Sequence, residues 1–219
     1  MPTPTPLTAP DRTAALLELP DWRYNLGALG TAYSCGSVAV ALALVQAIGG
    51  RAESLDHHPD VDWRYDHVFV TTSTHSVGSQ VTAKDIELAA AVSAEATALG
   101  ARAAPELVRS FELGVDTADP DSIADTWLAA LGYHRNFAGD LVDPWRRLPG
   151  IWFQETADPN PSRLHVDLTV EAGTADAILA DIVAHGGRRI DDRFRPSFTV
   201  VADAQDNRIC ICTNLGRDG

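Results

Sequence analysis

Three of the seven histidines lie close together in the sequence, as His57, His58 and His75. A neutral imidazole near pH 7 can both accept and donate a proton, so clustered histidines suit acid/base catalysis. A zinc site is one alternative, but adjacent histidines point in different directions, and neither a CxxC nor an HExxH motif accompanies them. A surface turn at a helix end is another, because the helix dipole there favours cationic histidine.

The elements around the histidines follow from hydrophobic periodicity and capping residues. Residues 37–55 predict a helix, and residues 63–73 predict a strand because they alternate and are rich in β-branched side chains. That strand would place one set of side chains on a common face: Tyr65, His67, Phe69, Thr71, Ser73 and His75. A second helix is predicted to begin at Thr82, because Thr82 and Asp85 fit a capping box.

The remainder of the first half completes an element order of α-β-β-α-β-α. Residues 1–12 are rich in Pro and Thr and are expected to form a flexible arm. A short helix is expected over residues 13–19, and a bent hairpin over residues 22–33. The helix of residues 37–55 is expected to bury five apolar positions on one face: Val38, Ala41, Leu42, Val45 and Ile48.

The composition excludes several classes of protein. Hydrophobic residues make up 45% of the chain and charged residues 21%, which indicates a globular protein rather than a disordered one. The formal charge of -13 argues against binding to nucleic acid or to an anionic membrane surface. The three cysteines do not resemble a disulfide framework, which favours a cytoplasmic location. The apolar stretch of residues 38–48 is too short to span a bilayer, and the N-terminus lacks a signal-peptide pattern.

The second half contains an internal repeat. Residues 112–135 and residues 165–189 share one plan, in which a strand, a short turn and an amphipathic helix are followed by a glycine and an onward strand. Further strand-like stretches follow, at residues 150–156, 197–203 and 208–214. Two βαβββ modules of this kind bury their apolar faces only by pairing with each other. We therefore expect a first domain of residues 13–102 and a second domain of residues 103–219.

The spacing of the histidine segment resembles the signature of a known family, the pterin-4a-carbinolamine dehydratases. Seven residues carry the resemblance: Glu53, His57, His58, Pro59, Tyr65, His75 and Asp85. The segment LPDWRY at residues 19–24 and the segment from THS to TAKDIELA at residues 74–89 are similar to the family's flanking segments. The resemblance covers about residues 10–102.

This resemblance implies an α+β fold in which helices pack on a four-stranded antiparallel sheet, and a homo-oligomer that is a dimer or a tetramer. It also implies a hydro-lyase reaction, in which 4a-hydroxytetrahydropterin loses water to give quinonoid dihydropterin. The reaction requires protonation of the leaving hydroxyl and removal of a ring N–H proton, which neighbouring imidazoles can share. The pterin is then the substrate, and no resident cofactor is expected.

The resemblance also assigns roles by position. His57 and His75 would form the acid/base pair, while His58 would bind the pterin and assist. Asp85 would be an orienting carboxylate, in addition to its role in the capping box. The implied substrate-binding residues are Glu53, Tyr65, Ser73 and Thr74.

One stretch of the first half departs from the family's pattern. Where the family carries an Arg and two aromatic residues on a strand, this chain has Gly30, Ala32 and Ser34. The departure predicts a change in a pterin contact or in an oligomer contact.

The repeat in the second half resembles the vicinal-oxygen-chelate family, which includes glyoxalase I and the bleomycin-resistance proteins. The similar segments are residues 119–132, 165–170 and 203–212. Metal-bearing members place one ligand on the first and last strand of each module, and the corresponding residues here are Glu112, Gln154 or Glu155, His165 and Cys210. This donor set matches a hard-cation site poorly, so we expect no metal, with Glu112 and His165 as the remaining candidates.

Two hypotheses about function follow. In the first, the protein is a 4a-hydroxytetrahydropterin dehydratase with an accessory glyoxalase-like domain that binds an unidentified small molecule. In the second, the protein is not an enzyme: the glyoxalase-like domain sequesters a small molecule, and the first domain is an oligomerisation scaffold. Regulation through a protein partner is a third possibility for the first domain.

Overall fold

The computed structural model describes residues 4–158 and 162–216, so residues 1–3 of the predicted arm lie outside the described residues. The chain divides into two compact units, of which the first ends at Val108 and the second begins at Arg109. The sequence placed this boundary after residue 102. The difference arises because residues 102–108 pair with and pack on the sheet of the first unit.

The first unit is an α+β structure, as predicted. Its elements are α1 (Ala9–Leu17), β1 (Arg23–Asn25), β2 (Ala28–Ser34), α2 (Val38–Leu55), β3 (Asp60–Arg64), β4 (His67–Thr72), α3 (Ala83–Ala98) and β5 (Arg102–Ala103). Four strands form an antiparallel sheet in the order β1-β2-β4-β3, and β5 pairs with β2. The core contains Val68 and Val70 of β4 together with Leu44 of α2 and Leu88 of α3. The four-stranded antiparallel sheet with packed helices is therefore confirmed.

Local sequence signals explain where several elements begin. The turn between β1 and β2 has Leu26 and Gly27 at positive φ, which gives the predicted hairpin. The Ser37 side chain accepts a hydrogen bond from the backbone N–H of Val40 and caps α2. The predicted capping box of Thr82 and Asp85 is present at the start of α3.

The predicted single strand of residues 63–73 is wrong, because the chain turns back within it. β3 ends at Arg64, and Tyr65 has a φ of 55°, in the left-handed region that reverses the chain into β4. The aromatic and β-branched residues on both sides conceal this break, since they favour strand throughout. His75 consequently lies in a short 3-10 helix, His75–Val77, rather than on the same strand face as Tyr65.

The first helix also begins earlier than predicted. α1 begins at Ala9, inside the predicted arm, and the Thr8 side chain accepts a hydrogen bond from the backbone N–H of Asp11. Pro10 is tolerated in the first turn of α1, because the backbone N–H that proline lacks would have no partner within the helix at that position. The preceding segment is attached to the unit by a backbone hydrogen bond from Leu7 to Val81.

Helix α2 is longer than the apolar stretch that the sequence singled out. With 18 residues and a mean hydropathy of 1.4, its length and composition alone would allow it to cross a membrane. Core helices of soluble proteins pass the same test, and the buried side of α2 faces the core of the unit. That side contains Ala41, Leu44, Ile48 and Ala52, whereas Leu42, which was predicted to be buried, is 46% exposed.

The second unit consists of two paired βαβββ modules, as predicted. The first contains β6 (Ser110–Thr117), α4 (Asp121–Leu131), β7 (His134–Arg135), β8 (Leu141–Val142) and β9 (Gly150–Glu155). The second contains β10 (Leu164–Thr169), α5 (Ala172–Ala184), β11 (Arg188–Asp191), β12 (Phe198–Ala202) and β13 (Arg208–Cys212). Their strands form one sheet in the order β11-β12-β13-β10-β6-β9-β8-β7.

The two modules meet where β6 and β10 pair in antiparallel register, with Gly114 opposite His165. Each of these strands also has a parallel neighbour from its own module, β9 beside β6 and β13 beside β10. Apolar residues such as Val115 and Ile211 belong to the clusters that pack with helices α4 and α5. Because side chains alternate along a strand, His165 lies on the opposite face of the sheet.

Candidate active site

A cavity of about 310 Å³ in the first unit gathers the three histidines of the sequence cluster. Its lining residues are Pro4, Asp56, His57, His58, Ser73, Thr74, His75, Ser76 and Lys84. Pro4 precedes α1, and the others come from the segment after α2, the segment after β4 and the start of α3. The volume lies at the lower end of the range for small-molecule sites.

The end of α2 determines where His57 points. Asp56 has a φ of 47° and forms a left-handed cap, and the backbone N–H of His57 donates to the carbonyl of Ala52. This turn buries His57, which is 8% exposed. Pro59 follows and disfavours helical conformation in His58, so β3 begins at the next residue.

Asp85 is a completely buried carboxylate beneath the cavity. Its Oδ1 atom lies 2.7 Å from His57 Nε2 and accepts a hydrogen bond of the same length from the Thr72 hydroxyl. Its Oδ2 atom accepts from the Thr74 hydroxyl at 2.8 Å and from the backbone N–H of Thr82 at 2.7 Å. A buried carboxylate with this many donors has a fixed orientation. The sequence analysis assigned Asp85 both to the capping box and to the active site. In the structure Asp85 contacts Thr82 of the capping box and His57 of the site at the same time.

His58 and His75 occupy exposed positions at the cavity. His58 Nε2 lies 3.0 Å from Glu53 Oε1, and both side chains are largely exposed. His75 begins the short 3-10 helix, and the backbone N–H of the preceding Thr74 donates to the carbonyl of Gln80. The cavity therefore combines one buried imidazole with two that solvent or a ligand can reach.

The predicted substrate-binding residues do not all reach the cavity. Ser73 and Thr74 line it, and the Ser73 hydroxyl is buried with no hydrogen-bond partner among the described residues. Glu53 reaches the site through His58 only. Tyr65 is 78% exposed at the turn between β3 and β4 and does not line the cavity.

The sequence reasoning missed two charged residues of the cavity, Asp56 and Lys84. Lys84 Nζ donates a hydrogen bond of 3.0 Å to the Asp56 carbonyl, which joins the start of α3 to the end of α2. Both residues adjoin motifs that the sequence identified, because Asp56 precedes the histidine pair and Lys84 lies inside the capping box. Adjacency to a motif was the signal that could have found them.

The departure at Gly30, Ala32 and Ser34 lies away from the cavity lining. A Cβ atom on Gly30 would lie 3.2 Å from Val108 Cγ1, and the backbone N–H of Ala104 donates to the Ala32 carbonyl. β5 pairs with the end of β2 at Ser34. Gly30 thus leaves room for Val108, while Ala32 and Ser34 contact this segment through their backbones. The expected change in a pterin or oligomer contact stays a prediction.

The second unit has a separate polar cluster on the sheet face opposite its helices. His165 lies there with Asp167 and Cys210, whose potential donor atoms are all within 4.8 Å of one another. Glu112, the other predicted metal candidate, is the register partner of Asp167 in the pairing of β6 and β10, and its Oε1 atom lies beside Gly150 on the neighbouring strand. The expectation of no metal, with Glu112 and His165 as the remaining candidates, stays a prediction.

Both halves of the chain are similar to known proteins. The sequence model of the family described as pterin 4 alpha carbinolamine dehydratase matches residues 5–95, and the model described as a glyoxalase-like domain matches residues 112–212. A relative from Opitutus terrae, provisionally named a pterin-4-alpha-carbinolamine dehydratase, is 42% identical over 86 residues, which are 39% of this chain and 89% of the relative. The chain belongs to the pterin-4a-carbinolamine dehydratase family. Its dehydratase domain is fused to a glyoxalase-like domain.

Two further relatives of the dehydratase domain are similar over most of their own length. A protein from Streptomyces coelicolor with the same provisional name is 38% identical over 96 residues, covering 44% of this chain and 95% of that protein. A crystal structure titled as a transcriptional coactivator/pterin dehydratase from Brucella melitensis is 31% identical. The matched region covers 42% of this chain and 99% of the Brucella chain, and the TM-score is 0.41.

Proposed function

We propose that the first domain dehydrates 4a-hydroxytetrahydropterin to quinonoid dihydropterin. One observation carries the proposal: a cavity of small-molecule size contains three histidines, one of which contacts a buried carboxylate. In the reaction, the bond between C4a and the hydroxyl oxygen breaks, and the oxygen leaves as water after it is protonated. The adjacent ring nitrogen loses its proton, and the carbon–nitrogen double bond of the product forms. Imidazoles can supply both proton transfers, so we propose no cofactor for this step.

His57 is oriented by Asp85, whose Oδ1 atom lies 2.7 Å from His57 Nε2. We propose that His57 donates in this contact, so that Nε2 carries the hydrogen. The Nδ1 atom is then the nitrogen that can accept or donate a proton. Asp85 acts through His57 and is a positioning residue. We propose His57 and His75 as the acid/base pair.

The remaining residues of the cavity are proposed to bind the pterin. His58, held by Glu53, is exposed enough to contact the ring and to assist proton transfer. The Ser73 hydroxyl is buried at the cavity without a partner among the described residues, and a pterin ring offers both donors and acceptors to it. Thr74 is proposed to help indirectly, because its hydroxyl already donates to Asp85. Tyr65 is left out of the proposed site.

The test is the rate at which 4a-hydroxytetrahydropterin decays, followed by the absorbance of quinonoid dihydropterin. The unaltered protein is expected to accelerate the decay over buffer. His57→Ala and His75→Ala are each expected to lower the acceleration about 100-fold or more, with the fold checked by circular dichroism. His67→Ala is the matched control, since His67 pairs with Asp66 on β4 and does not line the cavity. The proposal fails if the unaltered protein gives no acceleration.

The second domain is proposed to bind a small molecule as an accessory to this activity, and the protein to act as a cytoplasmic homo-oligomer. The buried polar cluster around His165 supports the binding role, because buried polar side chains on a sheet face are costly unless a partner satisfies them. If the dehydratase test fails, the same cluster supports the alternative of a non-catalytic binding protein. A protein that binds a small molecule in its second domain but does not accelerate the decay of 4a-hydroxytetrahydropterin would identify that case.

A further inference from the structure

The segment before α1 is fixed to the first unit, although the sequence predicted a flexible arm there. The backbone N–H of Leu7 donates a hydrogen bond of 2.8 Å to the carbonyl of Val81, and the Leu7 side chain packs against the core of the unit. Pro4 and Pro6 each have a restricted φ, so the chain loses little entropy when this segment takes a single conformation. Residues 4–7 are called the proline segment below.

The attachment point of the proline segment lies between two parts of the candidate active site. Val81 is 3% exposed, and it connects the short 3-10 helix that begins at His75 with Thr82, the cap of α3. The segment is therefore bonded to the same stretch of chain that carries His75. Three residues before Leu7, Pro4 lines the histidine cavity. The contacts of Leu7 thus determine where Pro4 lies.

Pro4 differs in chemistry from the other described residues that line the cavity. Those residues carry carboxylate, imidazole, hydroxyl or ammonium groups, and all of them lie between Asp56 and Lys84 in the sequence. The ring of Pro4 offers only carbon atoms, and the backbone nitrogen of a proline carries no hydrogen. Pro4 is half-buried, so its ring is a rigid apolar surface beside polar groups. The described part of the cavity lining therefore has a single apolar position.

The proposed substrate is divided in a matching way. The pyrimidine half of 4a-hydroxytetrahydropterin carries the amino group, the carbonyl and ring nitrogens, all of which need hydrogen-bond partners when they are buried. The saturated carbons C6 and C7, with any substituent on C6, are the apolar part of the molecule. Burial of these carbons against an apolar ring is favourable, whereas burial of the polar edge there would leave its groups without partners.

We propose that Pro4 is a specificity-determining residue that contacts C6 of the bound pterin and favours pterins with a small apolar substituent there. The proposal rests on the function proposed above, because it takes a pterin as the ligand of the cavity. The hydroxyl of Ser73 and the imidazoles remain for the polar edge of the ring. Leu7 is a positioning residue, because it acts through Pro4 by holding the proline segment against Val81.

The test is the binding of two reduced pterins to the full chain, tetrahydropterin and 6-methyltetrahydropterin, measured by anaerobic calorimetry. The two ligands differ only by the methyl group, so the ratio of their affinities reports the contact at C6. The unaltered protein is expected to bind the methyl compound about four-fold more tightly, the worth of one buried methyl group. Pro4→Gly is expected to lower this ratio to about one and to change the affinity for tetrahydropterin less than about two-fold.

Three further variants separate the contact at C6 from other effects. Leu7→Ala should lower the ratio as Pro4→Gly does, because the proline segment is no longer held, and circular dichroism checks its fold. Pro10→Ala changes an exposed proline of α1 that does not line the cavity, and it should leave the ratio unchanged. Ser73→Ala should weaken the binding of both pterins equally, because its hydroxyl would contact the ring and not the substituent.

The outcomes distinguish this proposal from the dehydratase proposal. Equal affinities of the unaltered protein for the two pterins, or the same ratio in Pro4→Gly as in the unaltered protein, overturn the role of Pro4 even where 4a-hydroxytetrahydropterin decays faster than in buffer. Failure of both pterins to bind overturns it as well. Loss of the ratio in Pro4→Gly supports the role of Pro4, and it does so equally in a protein that binds pterins without accelerating the decay.

Discussion

At the scale of single residues, the neighbouring hydroxyls of Thr72 and Ser73 differ in their hydrogen bonds. The Thr72 hydroxyl donates to Asp85 Oδ1, so it is already used inside the protein. The Ser73 hydroxyl is buried without a hydrogen-bond partner among the described residues, although it adjoins the cavity. A polar group that is costly to bury and has no internal partner indicates a contact with a ligand.

Replacing these two hydroxyls separates binding from stability. Ser73→Ala is expected to raise KM for 4a-hydroxytetrahydropterin about five- to ten-fold, the worth of one hydrogen bond, without lowering the free energy of unfolding. Thr72→Val should instead lower the free energy of unfolding by about 1–3 kcal/mol, because Asp85 loses a buried donor. Steady-state kinetics and denaturant unfolding measure the two effects. A KM for Ser73→Ala equal to that of the unaltered protein would refute the substrate contact.

At the scale of secondary-structure elements, β2 is joined to α3 by a buried polar network. The Tyr33 hydroxyl lies 3.0 Å from Ser93 Oγ, which also accepts from the indole N–H of Trp22 at 3.0 Å. Burial raises the pKa of Tyr33 from 10.0 to about 12, and the nearby Asp21 carboxylate adds to the effect. The neutral phenol is therefore favoured in the folded protein.

This raised pKa predicts a loss of stability at alkaline pH. The contribution of Tyr33 is fully present below the unfolded pKa of 10.0 and is lost as pH rises towards the folded pKa of about 12. Tyr33→Phe is expected to unfold with a flatter dependence on pH in this window, measured as the denaturant midpoint. Tyr65→Phe, at an exposed turn, is the control and should behave as the unaltered protein. Parallel pH curves for Tyr33→Phe and the unaltered protein would contradict the prediction.

The contact between β2 and the end of the first unit explains the glycine at position 30. Gly30 faces Val108, and an added Cβ would come within 3.2 Å of Val108 Cγ1. Gly30→Val is expected to lower the free energy of unfolding by about 1–3 kcal/mol through overpacking, and Val108→Ala should recover part of that loss. Gly50→Ala is the matched control, because nothing lies within 4 Å of its added Cβ and the helix gains about 0.5–1 kcal/mol. Additive effects of Gly30→Val and Val108→Ala in denaturant unfolding would exclude the contact.

The sequence predicted the features that depend on neighbouring residues, and it missed those that depend on the pairing register of the strands. Ser37 and Thr82 mark their helices because capping chemistry involves only the next few residues. The reversal at Tyr65 was missed because residues on both sides favour strand equally. Asp167 was missed as a partner of Cys210 because only the parallel pairing of β10 and β13 places them side by side.

At the scale of the whole molecule, the two candidate sites belong to different compact units. Every residue that lines the histidine cavity precedes Val108, and the three donors around His165 all follow Arg109. The cavity contains paired charges, with Lys84 near Asp56, whereas the group around His165 combines a carboxylate, an imidazole and a thiol. The two sites therefore differ in their chemistry.

This separation predicts that variants of one site leave the other unaffected. Asp167→Asn is expected to leave the rate of 4a-hydroxytetrahydropterin decay within about two-fold, since sites without shared partners act additively. His57→Ala, in contrast, should abolish the acceleration. Circular dichroism checks the fold of both variants, and the absorbance of quinonoid dihydropterin measures the rate. A fall in the dehydration rate of correctly folded Asp167→Asn would instead demonstrate that the second domain controls the first.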